Sequence, residues 1–211
     1  IIEKYILEQS SAKRPNICFI PTATGDNDAY KVNFYSAFSQ LNCSPKHLDF
    51  FKRTPDLEGL IGNQDIIYVG GGNTKSMLAV WKDWGLDVIL RAAYDRGVIM
   101  CGVSAGAICW FKKGITDSWA DKLHVMDCLG FVDGNCCPHY DEEKERRPTL
   151  HKFIKGGDLS SCYAIDGGCA LHLLNGQAQL AVVFDKNKNS YNVVKQNNEV
   201  VENPFTKKEI S

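Results

Sequence analysis

Charge of one sign is the first thing this sequence lacks. Its 24 Lys and Arg are balanced by 25 Asp and Glu, for a formal net charge of −1. That balance leaves no basic field to gather nucleic acid and no polybasic segment for an anionic membrane surface. No apolar run approaches the roughly 18 residues that span a bilayer, and no signal-peptide pattern opens the chain. Internal repeats, low-complexity segments and linker-like compositions are also missing. With 211 residues, 44% hydrophobic and 23% charged, the expectation is one globular domain over residues 1–211 with a sizeable core.

Cysteine is plentiful, but the spacings that give it chemistry are absent. The nine are Cys18, Cys43, Cys101, Cys109, Cys128, Cys136, Cys137, Cys162 and Cys169. An odd number makes a poor disulfide framework, and no C-x-x-C pair is present to seat zinc. The adjacent Cys136 and Cys137 would point to opposite faces of a strand. Most of the others lie in apolar runs such as ICFI and AICWF, where a thiol acts as a small hydrophobe. Reduced core thiols in a cytoplasmic protein, with neither metal nor cofactor, are therefore expected.

What is present is an alternation of strand-like and helix-like segments. Asn16–Ala23 is a short apolar run rich in β-formers. Tyr30, Phe34, Ala37, Phe38 and Leu41 then recur at helical spacing over 27–41. Weaker signals predict a strand over 46–51 and a helix over 57–61. Asp65–Val69 reads as a buried strand ending in three glycines. Asn73 and Thr74 can cap the helix that follows, and a second helix covers 86–94. Val98–Val103 is again a strand, with a helix expected directly after it over 104–111. Continuous apolar strands alternating with helices predict a mostly parallel sheet covered on both faces, a three-layer α/β/α fold. Beyond Gly114 the pattern predicts a strand near 129–136, a charged helix over 142–155, and β-structure over 162–174 and 179–194. The polar stretch DKNKN predicts a C-terminal antiparallel hairpin, with a polar tail from residue 203.

The chemistry concentrates where strands end. Gly102-Val103-Ser104-Ala105-Gly106 matches G-x-S-x-G between a strand and a helix, the context in which a serine hydroxyl is lifted clear of the sheet edge. Gly70-Gly71-Gly72-Asn73-Thr74 ends another strand. Without side chains its backbone can approach a ligand, and an N–H of Gly71 or Gly72 could pair with that of Ala105 as an oxyanion hole. The loop lacks the lysine and spacing of a phosphate-binding loop. A serine nucleophile also needs a base. Of the histidines, His47, His124, His151 and His172 lie on edges, in irregular segments or at ordinary helix and strand positions. His139 instead follows a strand and Pro138 and opens the acidic run Tyr140-Asp141-Glu142-Glu143, at a strand end where a parallel sheet gathers site residues.

Together IPTA (Ile20–Ala23), VGGGNT (Val69–Thr74), GVSAGA (Gly102–Ala107) and CPHY (Cys137–Tyr140) resemble the peptidase E family, serine peptidase family S51, related to cyanophycinase. The likeness runs from about Ile17 to Leu173, with motif order and spacing kept. It implies a fold like the class I glutamine amidotransferases, flavodoxin-like, with serine in place of cysteine. It also implies a metal-free dipeptidase that removes an N-terminal aspartate. On that resemblance Ser104 matches the nucleophile, His139 the base, and Ala105 with Gly71 and Gly72 the oxyanion hole. One more strand would be expected upstream of Ile1. Two departures stand out. The family's histidine-orienting glutamate falls on Gly167 here, within Ile165-Asp166-Gly167-Gly168, leaving Asp117 and then Asp166 as the carboxylates to hold His139. The family's specificity arginine falls on Lys144, with Arg146 and Arg147 just beyond.

These residues lead to one expectation and two rivals. The expectation is a cytoplasmic serine peptidase, monomer or homodimer, that hydrolyses small peptides through an acyl-enzyme. Asn73, Lys144 and Arg147 would meet the substrate, and neither nucleic acid nor membrane is a partner. An esterase of α/β-hydrolase type would use the order Ser104, Asp117, His139. A non-catalytic amidotransferase-like binding module would keep the serine turn without turnover.

Overall fold

The computed structural model describes Ile1–Ser211, and its residues gather into two units, Ile1–Ala107 and Ile108–Ser211. In the first, a short helix α1 (Ile2–Leu7) precedes β1 (Asn16–Ile20), α2 (Asp28–Phe38), β2 (Ser44–His47) and α3 (Leu57–Gly62). Then come β3 (Ile66–Val69), α4 (Thr74–Asp83), α5 (Leu86–Asp95) and β4 (Ile99–Gly102). The four strands lie in the order β2-β1-β3-β4, every neighbour parallel. This is the order of a flavodoxin-like doubly wound sheet, with the chain reversing direction across the sheet between β1 and β3.

The sequence explains the local choices. In β1 and β3 almost every side chain is buried, so these strands are apolar on both faces. Phe19 of β1 stacks on Phe34 of α2 at 4.8 Å, and Phe34 meets Phe38 at 4.7 Å. The Asn27 side chain caps α2 by accepting from the Tyr30 N–H at 3.0 Å. Trp81 of α4 is fully buried, and its indole N–H donates to Thr22 Oγ1 at 3.0 Å. That bond ties α4 to the loop leaving β1, at the carboxyl edge of the sheet. The expected strand over 16–23 stops at Ile20, because Pro21 opens a single 3₁₀ turn, Thr22–Thr24.

Helix α6 (Ala105–Ile108) follows β4 and is only one turn long; the chain is already strand again at Phe111. The helix expected over 104–111 is therefore cut short. Gly114 of the new strand packs against Ile108, where any added Cβ would lie 2.8 Å from the Ile108 side chain. The second unit contains β5 (Phe111–Thr116), β6 (His124–Asp127), β7 (Val132–Cys137), α7 (Arg146–Gly156) and β8 (Ser161–Ile165). It continues with β9 (Cys169–Leu174), β10 (Gln177–Val183), β11 (Ser190–Gln196), β12 (Glu199–Pro204) and β13 (Lys207–Glu209). One sheet runs β12-β11-β8-β7-β5-β6, parallel across β8, β7 and β5 and antiparallel at both ends. A smaller sheet runs β13-β10-β9. The fold is thus α/β with parallel sheet centres, as expected.

The carboxyl-terminal third departs from the sequence pattern in detail. DKNKN does not close a hairpin, because β10 and β11 belong to different sheets. The hairpins are β9–β10 and β11–β12, turned by Asn175-Gly176 (φ 51° and 75°) and Asn197-Asn198 (φ 48° and 68°). Consecutive left-handed residues of this kind match the twist of the flanking strands, and Asn and Gly adopt them at least cost. The residues expected as a polar tail finish β12 and supply β13, which lies parallel to β10. No helix is long and apolar enough to cross a membrane.

All nine cysteines are free. Cys18 and Cys137 are fully buried, and burial pushes both thiols up to about 12. A buried, protonated thiol is a poor nucleophile. Titration at pH 8 with an aromatic disulfide reagent should release fewer equivalents from native protein than the nine found after denaturation. Equal counts in the two states would contradict this packing.

Candidate active site

Ser104 sits between β4 and α6 with φ at 55°. A left-handed serine is uncommon, and such backbone strain persists only where surrounding structure enforces it. Here the glycines around it do so. A Cβ on Gly106 would stand 2.1 Å from the carbonyl oxygen of Val69, at the end of β3. A Cβ on Gly102 would stand 2.4 Å from the Gly106 carbonyl and 2.7 Å from that of Val69. The turn closes through Gly106 N–H to Val103 O (2.9 Å) and Ala107 N–H to Ser104 O (2.9 Å), while Val103 N–H donates to Val69 O. The serine is thus presented on a sharp strand-to-helix elbow.

The glycine loop after β3 lies against that elbow. A Cβ built on Gly71 would come 3.2 Å from Ser104 Cβ and 3.9 Å from its Oγ. Gly72 has φ 135°, and any side chain there would run into the Ala23 carbonyl. The Gly71 N–H donates to the Tyr30 hydroxyl at 3.1 Å. Asn73 spends its side chain on capping α4, accepting from Ser76 N–H at 2.9 Å, and its own N–H donates to Ala23 O. The expectation of Asn73 as a substrate contact thus meets a residue already used structurally.

In the second unit, β7 ends at Cys137 and His139 again takes a left-handed backbone, φ 55°. Its Nδ1 lies 2.7 Å from Glu142 Oε2. A carboxylate only accepts, so the imidazole donates from Nδ1, and the neutral ring then has Nε2 as its acceptor. Glu142 is in a turn because α7 begins at Arg146, four residues later than the charge pattern predicts, with Pro148 in its first turn where no N–H is needed. The other histidines have different partners or positions: His47 meets Tyr35, His124 meets Asp121, His151 meets Glu202, and His172 lies within β9.

The model of peptidase family S51 matches residues 1–181. The chain belongs to peptidase family S51. It is 48% identical over 205 residues to the uncharacterized peptidase YgaJ of Bacillus subtilis (strain 168), covering 97% of this chain and 89% of that protein. It is also 27% identical over 173 residues to peptidase E of Haemophilus influenzae, covering 76% and 77% respectively. Among solved structures, a peptidase from an acI-B1 Actinobacterium superposes with a TM-score of 0.63 at 19% identity, over 100% of this chain and 89% of the other. That likeness establishes the fold.

Within this S51 chain the two expected triad carboxylates are not at His139's Nδ1. Asp117 has a 65% exposed side chain and faces Arg146 at 3.7 Å. Asp166 is 5% exposed and accepts from the Asn189 N–H at 3.0 Å, and burial raises its carboxyl above the usual range. Of the cations, Arg146 is buried against Glu143 and the Ile115 carbonyl. Arg147 faces Glu202 and lies over the Tyr140 ring at 4.6 Å. Lys144 is exposed in the turn before α7. Sequence reasoning missed Glu142 because it placed that residue inside a helix; the i,i+3 spacing from His139 within a turn was the available signal.

The elbow's geometry gives a direct test. Replacing Gly106 by alanine forces a methyl group into the Val69 carbonyl. Overpacking of this kind should cost about 2–3 kcal/mol in denaturant unfolding, whereas Gly62→Ala, at a position with open space, should cost little. Equal stability of the two variants would refute the close approach.

Proposed function

We propose that this S51 chain is a serine-type peptidase that hydrolyses short peptides through an acyl-enzyme. Ser104 Oγ attacks the scissile carbonyl carbon and passes its proton to His139 Nε2. The imidazolium returns that proton to the departing amine as the C–N bond breaks. Water then attacks the ester, again through His139, and Ser104 is released. The observation that carries this reading is Ser104 held at φ 55° on a glycine-enforced elbow beside the glycine loop. A backbone held in a costly conformation at a half-buried hydroxyl on such an elbow is what nucleophilic use of that serine requires.

The oxyanion donors follow from the same geometry. With the Gly71 N–H turned to Tyr30, Gly72 and the first-turn N–H of Ala105 remain to face the developing negative oxygen. For substrate choice, Arg146 and Arg147 are held by Glu143 and Glu202. Lys144, exposed in the turn before α7, is the cation of the group left to meet a substrate carboxylate, as an N-terminal aspartyl dipeptide would require.

Ser104→Ala should lower hydrolysis of a dipeptide panel, aspartyl dipeptides included, by about 10³-fold or more, with the fold intact by circular dichroism. Retained hydrolysis in that variant would overturn the mechanism. Cleavage of aryl esters with no dipeptide turned over would favour an esterase instead.

A further inference from the structure

Glu142 meets His139 in a place that another residue vacates. Gly167, in the turn between β8 and β9, carries no side chain, and the Glu142 carboxylate fills the room this leaves. A Cβ built on Gly167 would stand 2.3 Å from both Cδ and Oε1 of Glu142 and 2.6 Å from its Cγ. Glycine at 167 is therefore not required by its own backbone, which stays outside the left-handed region. It is required by the carboxylate lying on it. From there Oε2 of Glu142 accepts the His139 Nδ1 proton at 2.7 Å.

We propose that Glu142 is the positioning residue for His139, its carboxylate seated on Gly167 to hold the imidazole with Nδ1 protonated and Nε2 open. The proposal rests on the serine-peptidase reading and adds the residue that orients its base. Neither aspartate suggested by the sequence can do this from where it stands. Asp117 is turned toward Arg146, and Asp166 toward Asn189 and Tyr191. The turn that carries Glu142 is fixed independently of the imidazole. Tyr140 N–H donates to Ile165 O at 3.0 Å, Gly167 N–H donates to Asp141 Oδ1 at 2.8 Å, and Glu143 N–H donates to His139 O at 3.2 Å. Those bonds set Tyr140 and Asp141 against the β8–β9 turn and close the Glu143 backbone onto His139, so the backbone that carries Glu142 has little freedom to lose on engaging His139.

The space on Gly167 also supplies a transplant. A carboxylate one bond beyond a Cβ at 167 would reach the spot that Glu142 now occupies, provided Glu142 is trimmed away. Glu142→Ala and the double variant Glu142→Ala/Gly167→Asp therefore form a pair that removes the carboxylate and then returns it from another position.

The readouts are two. A fluorophosphonate probe, which forms an Oγ–P bond at Ser104 and releases fluoride as the serine proton passes to the imidazole, reports nucleophile activation without a known substrate. Nitrogen-15 NMR of the labelled histidines reports the His139 tautomer and needs no activity. Glu142→Ala should slow labelling of Ser104 by about 10²-fold or more, since loss of a triad's third member costs up to about 10⁴. It should also shift His139 away from the Nδ1–H form, with thermal unfolding unchanged because Glu142 is half-exposed. The double variant should recover at least tenfold of the lost rate and restore the tautomer. Glu142→Ala labelling at the wild-type rate, or an unchanged tautomer, would overturn the assignment while leaving the serine mechanism standing. A folded double variant no faster than Glu142→Ala would overturn the assignment of that space. Wild-type protein that never labels at Ser104 would overturn the peptidase reading itself, and the positioning role with it.

Discussion

The carbonyl of Val69, at the end of β3, is the point around which the first unit's chemistry is arranged. It accepts the Val103 N–H, and it lies where Cβ atoms of Gly102 and Gly106 would otherwise be. Because that oxygen sits inside the elbow, residues 102 and 106 have no room for a side chain, and Ser104 between them takes the left-handed backbone at φ 55°. The same strand then runs into Gly70-Gly71-Gly72, so a side-chain-free loop comes to lie against the serine it has just forced outward. The serine elbow and the glycine loop thus meet at one close approach between neighbouring parallel strands.

The second unit uses the absence of a side chain differently. At the elbow, glycine admits backbone oxygens; at position 167 it admits a carboxylate. In both cases the residue that matters chemically is identified by what the neighbouring glycine gives up. The left-handed residues make the same division. Asn175, Asn197 and Asn198 turn hairpins, where asparagine tolerates positive φ at little cost. Of the others, Asp26 (φ 57°) accepts from the Phe50 and Phe51 N–H groups, while Ser104 and His139 share that conformation without a hairpin to explain it and are the two groups the proposed chemistry needs.

Much of this was legible in the residues. Continuous apolar runs predict β1, β3 and β4, and periodic aromatic residues predict α2, because burial on both faces or on one stripe leaves a direct mark on the sequence. The strand-end positions of Ser104, Gly71, Gly72 and His139 are legible because each follows a strand that can be recognised first. Where the reading failed, the deciding interaction was non-local. β5 and β6 have mixed burial and little period, and the short α6 ends because its residues pack against the next strand. The Asn-Gly at 175–176 is the local signal of the β9–β10 hairpin, whereas DKNKN, more polar and more conspicuous, joins strands of different sheets. Glu142 was obscured by its neighbours. Among Glu142, Glu143, Glu145 and Lys144, charge alone does not separate a solvated helix face from a turn carboxylate aimed at a histidine.

How a half-exposed glutamate can hold His139 in the role proposed for it is a question of order more than of burial. At 52% exposure its charge is screened by water, so its electrostatic pull on the imidazole is far weaker than that of an enclosed carboxylate. Its geometry is not weakened in the same way. Asp141, one residue earlier, accepts from the Gly167 N–H and pairs with Lys188. Burial alone would raise the Asp141 carboxyl, but Lys188 and the Gly167 N–H hold it below the usual aspartate range. One residue later Glu143 engages the buried Arg146 at 2.7 Å. Glu142 is thus the middle of three consecutive acids whose outer members are anchored, one to the β8–β9 turn and one to the start of α7. The ion pairs on either side fix direction, and direction is what a histidine needs in order to present Nε2 and not Nδ1. A local pair three residues apart also closes a far shorter loop than a carboxylate brought from β8 would. The chain can thus leave position 167 without a side chain and still fix the direction of the His139 ring.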